Sequence, residues 1–193
     1  MQARLWSCFP GGPNQLSEEL VKSPKAAKAK LVKAIRKAGM QDQRASQICE
    51  LLSTLRDTAH DDRNVDDALE WLRREDTVTA LGHLCGFKGV GPKVASCCLA
   101  FTCRHDLLPV DTNVAKMAYR LKWTTNTDMN KVQEDVNGLK GQTPLVVPTS
   151  TGKHPKLRLD IHCVLIQMGI DMRSKDSALR QRIEHFIARW ALR

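Results

Sequence analysis

The sequence predicts an all-α fold, and three observations predict it. Apolar residues recur three and four positions apart along most of the chain. Glycine, proline and short polar residues interrupt these stretches at helix-length intervals. No two alternating apolar–polar segments read as partner strands.

In chain order, residues 26–38 place Leu31, Ile35 and Ala38 on one face and lysines on the other, and Gly39 is suited to end that helix. Residues 43–58 carry Ile48, Leu51, Leu52 and Leu55 on one stripe. Residues 65–74 offer Val65, Leu69 and Leu72 at helical spacing. Thr77 is read as the cap of a short helix bearing Leu81 and Leu84. Gly89-Val90-Gly91-Pro92 follows, with two glycines free to take positive φ and a proline fitted to the first helical position. The helix behind it is expected to reach about Phe101. Asp111 precedes a further periodic run of Val114, Met117, Ala118 and Leu121. Helices are expected near 130–139, 157–169 and 176–191, with a loop over 141–156. The last helix lines up Leu179, Ile183, Phe186, Ile187 and Trp190.

Composition narrows the partners. The 193 residues contain 30 Lys and Arg against 21 Asp and Glu, a net charge of +9. Such a balance suits a nucleic acid or a membrane surface. The excess is local. Residues 22–44 hold eight basic residues and one acid, whereas 50–76 hold nine acids and four arginines. No apolar run is long enough to span a bilayer, and the first residues lack the apolar core of a secretory signal. Seven cysteines without a regular framework read as reduced thiols inside the cell, and Cys85, Cys97, Cys98 and Cys103 as core thiols rather than metal ligands.

The turn at 89–92 can carry chemistry. Without a Cβ, glycine lets the backbone approach a phosphate closely, and the amides opening the next helix face outward. Lys88 adds charge beside it. This contact would give register on a duplex, not sequence. Taken alone, a Gly-x-Gly turn is an ordinary helix connection. Here Lys93 lies in the first turn of the following helix, and Asp111 comes eighteen residues later within Pro109-Val110-Asp111-Thr112-Asn113.

With Arg120-Leu121 added, residues 89–123 resemble the helix-hairpin-helix DNA glycosylase superfamily (HhH-GPD), in its endonuclease III branch. The run from Pro109 to Val114, with Arg120 to Trp123 behind it, is most similar to DEMETER-type 5-methylcytosine glycosylases. More weakly, residues 35–48 and 159–169 are similar to other family segments, so the resemblance covers about residues 20–172.

The resemblance implies a two-lobed fold. It places a central lobe at 39–140 with the hairpin at 77–102, and a second lobe formed by 1–38 and 141–193. It also implies excision of a modified or mismatched base, with Lys93 as amine nucleophile and Asp111 as the carboxylate beside the sugar. The chemistry suits both. Glycosidic cleavage builds positive charge on the sugar, which a carboxylate stabilises. An amine can attack the sugar carbon and form a Schiff base, opening the way to strand nicking. Met40 matches a residue that probes the base stack, and Lys88, Gly89, Val90, Gly91, Pro92 and Asn113 match DNA contacts. The expected partner is double-stranded DNA, bound by a nuclear monomer without membrane attachment.

Two departures modify this expectation. Many relatives close with four cysteines around an iron–sulfur cluster. After Cys163 there is no further cysteine, so no cluster and no metal are expected. The first twenty residues also read as a shortened form of the family's opening segment. Other readings stay open on sequence. Asp111 before Thr112 and Asn113 is also an ordinary helix cap, and Lys93 alone could be a surface phosphate contact. Asp160 and His162 could simply be satisfied polar positions, and the chain could be a DNA-binding module without catalysis. A membrane- or protein-binding use of the 22–37 face is a third reading.

Overall fold

A computed structural model describes residues 5, 7–58, 65, 67–138 and 155–191. Every regular element among them is helical. The helices are α1 (Gly12–Lys22), α2 (Pro24–Ile35), α3 (Gln41–Thr58), α4 (Thr77–Cys85), α5 (Pro92–Cys98), α6 (Thr112–Arg120), α7 (Met129–Asn137), α8 (Pro155–Asp171) and α9 (Ser177–Ala191). The chain forms two compact units, residues 1–72 with 87–89, and residues 73–86 with 90–193.

In the first unit, α1, α2 and α3 pack around Phe9, Leu16, Leu31, Ala34, Ile35, Ala45 and Leu52. Helix α2 owes its place to its composition. Ala27, Leu31, Ala34 and Ile35 turn inward, while Lys25, Lys28 and Lys33 stay in water. Lys30 is the exception: its Nζ lies 4.4 Å from the Phe9 ring centroid and donates to Glu19 at 2.8 Å. That bond is the main cause holding the Glu19 carboxyl below its ordinary pKa. Ala45 and Leu52 of α3 share a core with Leu16 and Leu31, so α3 packs in the same unit as α1 and α2.

In the second unit, α6 lies along α8 and forms the centre of a core. That core is built from Leu108, Val110, Val114, Met117, Ala118, Leu121, Val132, Val136, Leu165, Ile183 and Ile187. A side chain at Gly169 would place a Cβ 2.6 Å from that of Asn113, so the two helices meet this closely only because residue 169 is glycine.

Several local expectations change. Residues 67–74 form turns and a 3-10 segment, Glu70–Arg73, not an α-helix. Residues 59–64 and 66 lie outside the described residues. The cap of α4 is Asp76, not Thr77: its carboxylate accepts from the Val78 and Thr79 amides at 3.0 Å. A carboxylate accepts two amides at once, which a hydroxyl does less well. The Thr79 hydroxyl bond first, and then these amide bonds, hold Asp76 below its ordinary pKa. Thr77 instead bonds His105 Nδ1 at 3.0 Å. The α-helix after Pro92 ends at Cys98 and widens into a π turn, Leu99–Cys103. Phe186 is exposed rather than buried with Ile183 and Ile187. Cys85 is also exposed, and Cys97, Cys98 and Cys103 are half-buried, so none of the four is a fully buried core thiol. Burial is the leading cause raising the Cys98 thiol. The expected loop falls mainly in residues 139–154, outside the described residues.

Candidate nucleic-acid interface

Helices α4 and α5 pack against each other, and the turn between them carries Lys88, Gly89, Val90 and Gly91. The two glycines do different work. Gly89 has φ of 84°, and a Cβ there would fall 2.5 Å from the Gln47 side chain. Gly91 is extended, with φ of −86° and ψ of 174°, contrary to the expectation of positive φ at both. It caps α5 without a side chain, and a Cβ there would meet nothing within 4 Å. Glycine at 89 is therefore demanded by the fold, whereas glycine at 91 keeps a surface clear. Gly89→Ala is expected to cost on the order of 1 kcal/mol of stability through its backbone. Gly91→Ala is expected to melt like the unaltered protein yet bind duplex DNA more weakly. Thermal melts beside fluorescence-anisotropy titrations check both, and equal binding by Gly91→Ala would contradict the assignment.

Pro92 occupies the first position of α5 and Lys93 the second, both exposed. The amides of Lys93 and Val94 belong to the first turn, where no intrahelical acceptor exists. Lys88 is 74% exposed and pairs with Glu50 at 3.1 Å, a surface contact that contributes little to stability. Val90 is half-buried.

Asp111 is the N-cap of α6. Its Oδ1 accepts from the amides of Asn113 and Val114, each at 2.8 Å, which leaves Oδ2 outside the cap. The segment leading to it, residues 107–110, is buried and belongs to no helix or strand. Its backbone is satisfied by side chains. Asn137 Oδ1 accepts from the Leu108 amide at 2.7 Å, and Gln133 Oε1 from the Val110 amide at 2.9 Å. His162 Nδ1 donates to the Pro109 carbonyl at 2.8 Å.

On sequence, His162 matches a family Asp-x-x-His-like helix only loosely and reads more simply as a satisfied polar position. It is 4% exposed, meets Phe101 edge-on with ring centroids 5.9 Å apart, and lies within electrostatic reach of both Lys93 and Asp111. Burial is the largest influence on that ring and lowers its pKa, against the Pro109 bond and the Asp111 charge, which raise it. Lys93 and Asp111, eighteen residues apart in sequence, act on this ring in opposite directions: the Asp111 charge raises its pKa and the Lys93 charge lowers it. An imidazole harder to protonate in the fold than in the unfolded chain destabilises the protein as pH falls past the ordinary histidine value. The melting temperature should therefore drop between about pH 7 and pH 5.5, around the ordinary histidine pKa. The drop should be shallower in His162→Phe, although that variant melts lower at pH 7 for want of the Pro109 bond. Parallel slopes would exclude the imidazole as the cause.

A cleft of about 380 Å³ starts at Asn113 and runs past Lys116, Tyr119, Arg120, Met172 and Arg173. Its charged lining is entirely cationic, and Tyr119 offers a half-exposed ring. Sequence reading missed this cleft, although Asn113, Lys116 and Arg120 share one face of α6 at spacings of three and four.

In the first unit, Met40 is 63% exposed at φ of 50°, directly after Gly39. A non-glycine residue in the left-handed region with its apolar side chain in water is uncommon. Among the described residues no group of three or more His, Cys, Asp or Glu side chains converges as a metal would need. No described helix is long and apolar enough to cross a membrane.

No family model matches the chain, and no solved structure matches it. Curated relatives do. An Arabidopsis thaliana protein named as a DNA glycosylase is 34% identical over 137 residues, covering 70% of this chain and 41% of that protein. The Arabidopsis DNA glycosylase/AP lyase ROS1 is 37% identical over 103 residues, 53% of this chain and 7% of that protein. The Arabidopsis transcriptional activator DEMETER is 31% identical over 99 residues, 51% of this chain and 5% of its own length. The matches thus span less than half of each of these relatives. Over about half its length, the chain is a homologue of DNA glycosylases of the ROS1 and DEMETER type, which belong to the helix-hairpin-helix (HhH-GPD) superfamily.

Proposed function

We propose that this protein is a DNA glycosylase with an associated lyase step, removing a modified or mismatched base from double-stranded DNA. Lys93, exposed in the first turn of α5 behind the glycine turn, and Asp111, with one carboxylate oxygen outside the α6 cap, carry this reading. The α4–α5 helix-hairpin-helix grips the backbone through the open surface at Gly91 and the first amides of α5. The cationic cleft along α6 takes neighbouring phosphates. In the first unit, taken by itself, the exposed Met40 offers an apolar wedge for a base stack. Flipping the base costs a few kcal/mol, least where its pairing is already weak.

The chemistry then needs two groups. The Lys93 amine donates its lone pair to the sugar C1′, and the base departs with the glycosidic electron pair and a proton. The Asp111 carboxylate steadies the positive charge that builds on the sugar. The sugar ring opens to an imine. Loss of the C2′ proton then expels the 3′ phosphate, which nicks the strand. The protein works as a monomer in the nucleus.

The test is borohydride capture on a duplex containing an abasic site. A covalent protein–DNA complex is expected. Tight, salt-sensitive binding without capture would instead make this a DNA-binding module.

A further inference from the structure

Lys93 and Asp111 sit on separate segments, and one side chain links those segments. Gln133, on α7, is 3% exposed. Its Oε1 accepts from the Val110 amide at 2.9 Å, one residue before Asp111. Its Nε2 donates to the Ser96 hydroxyl at 3.0 Å, one helical turn after Lys93 on α5, and also reaches the Leu108 carbonyl at 3.3 Å. Ser96 is fully buried. Both ends of the amide are thus committed, one to the helix that carries the amine and one to the segment that carries the carboxylate.

We infer that Gln133 and Ser96 form a positioning bridge that fixes Lys93 and Asp111 relative to each other for attack on the sugar. This rests on the reading of those two residues given above. The bridge touches no substrate and acts through its neighbours. Its geometry suits that work. Asn137 already holds the Leu108 amide and carbonyl at 2.7 and 3.0 Å, so residues 107–110 do not depend on Gln133 alone for their shape. The Ser96 contact adds nothing to that segment's own hydrogen bonding. What it adds is a link to α5. Reacting atoms must meet at close to 3 Å, and a misplacement of about 1 Å can cost a hundredfold in rate.

Ser96→Ala removes the link while keeping the Val110 bond, and alanine suits a helix interior. Gln133→Leu removes both ends at similar volume. Each is compared with the unaltered protein for single-turnover borohydride capture on an abasic duplex, for the Kd of that duplex, and for melting temperature. Ser96→Ala is expected to slow capture about five- to tenfold per folded molecule, with Kd unchanged. Gln133→Leu is expected to slow it at least as much. A bridge that only stabilises the fold would lower the melting temperature and leave capture per folded molecule unchanged, and that result would overturn the inference. Lys93→Ala runs alongside. If it still captures, the reading of the site itself fails. If it is inert while Ser96→Ala captures at the full rate, only the bridge fails.

Discussion

Lys93→Ala is expected to abolish the borohydride-stable complex, lowering capture at least about a hundredfold, the low end of what a positioned catalytic group supplies. The substitution is structurally mild. Lys93 is exposed in the first turn of α5, its side chain makes no core contact, and alanine is the best helix former. Duplex binding should survive with a shallower salt dependence, because one cation is gone while the α5 amides remain. Lys93→Arg sharpens the test. Arginine keeps the charge but stays protonated and offers no free amine. It should bind like the unaltered protein and capture nothing. If Lys93→Arg captures normally, the nucleophile lies elsewhere; if Lys93→Ala merely weakens binding, Lys93 is a phosphate contact.

The elements the sequence made legible are those governed by local rules. The lysine-faced helix α2 and the cap at Asp111 follow from periodicity and short-range hydrogen bonding, and both are present; the expected helix end at Gly39 is not, because α2 stops at Ile35 and a 3-10 turn, Arg36–Ala38, leads on to Gly39. Errors arise where a neighbour decides. Phe186 has the right spacing for the core, but the α9 face packed on the core closes with Ile183 and Ile187. Thr77 and Asp76 are both capping residues, and His105, distant in sequence, engages Thr77. The two glycines look equivalent in the motif, yet only Gly89 has a side chain, Gln47, where its Cβ would be. At the candidate site, Lys93 and Asp111 were visible through their spacing. Their supports were not. Gln133, Ser96, Asn137 and His162 carry no pattern, because their partners are backbone groups 23 to 53 residues away and a neighbouring side chain 37 residues away. A buried segment outside any helix or strand has to find side-chain donors and acceptors somewhere, but a sequence does not show which residues supply them.

Asp111 carries two duties, and two substitutions separate them. Its Oδ1 caps α6 through two amides at 2.8 Å, while Oδ2 stands outside the cap. Asparagine caps as well as aspartate, because its carbonyl oxygen accepts from the same amides, but it has no charge. Asp111→Asn should therefore melt close to the unaltered protein while base release falls about 10²- to 10⁴-fold, the range for a positioned acid–base group. Asp111→Ala loses cap and charge together. It should show the same fall in base release and, in addition, about 1 kcal/mol of lost stability. Single-turnover release from a duplex with one lesion, beside thermal melts, separates the two. Charge matters most where it develops on the sugar, so an uncharged amide at the same place should not rescue the rate. Full activity in Asp111→Asn with a loss only in Asp111→Ala would make residue 111 a helix cap and nothing more. The catalytic carboxylate would then have to be sought elsewhere, since the cap alone would explain the aspartate.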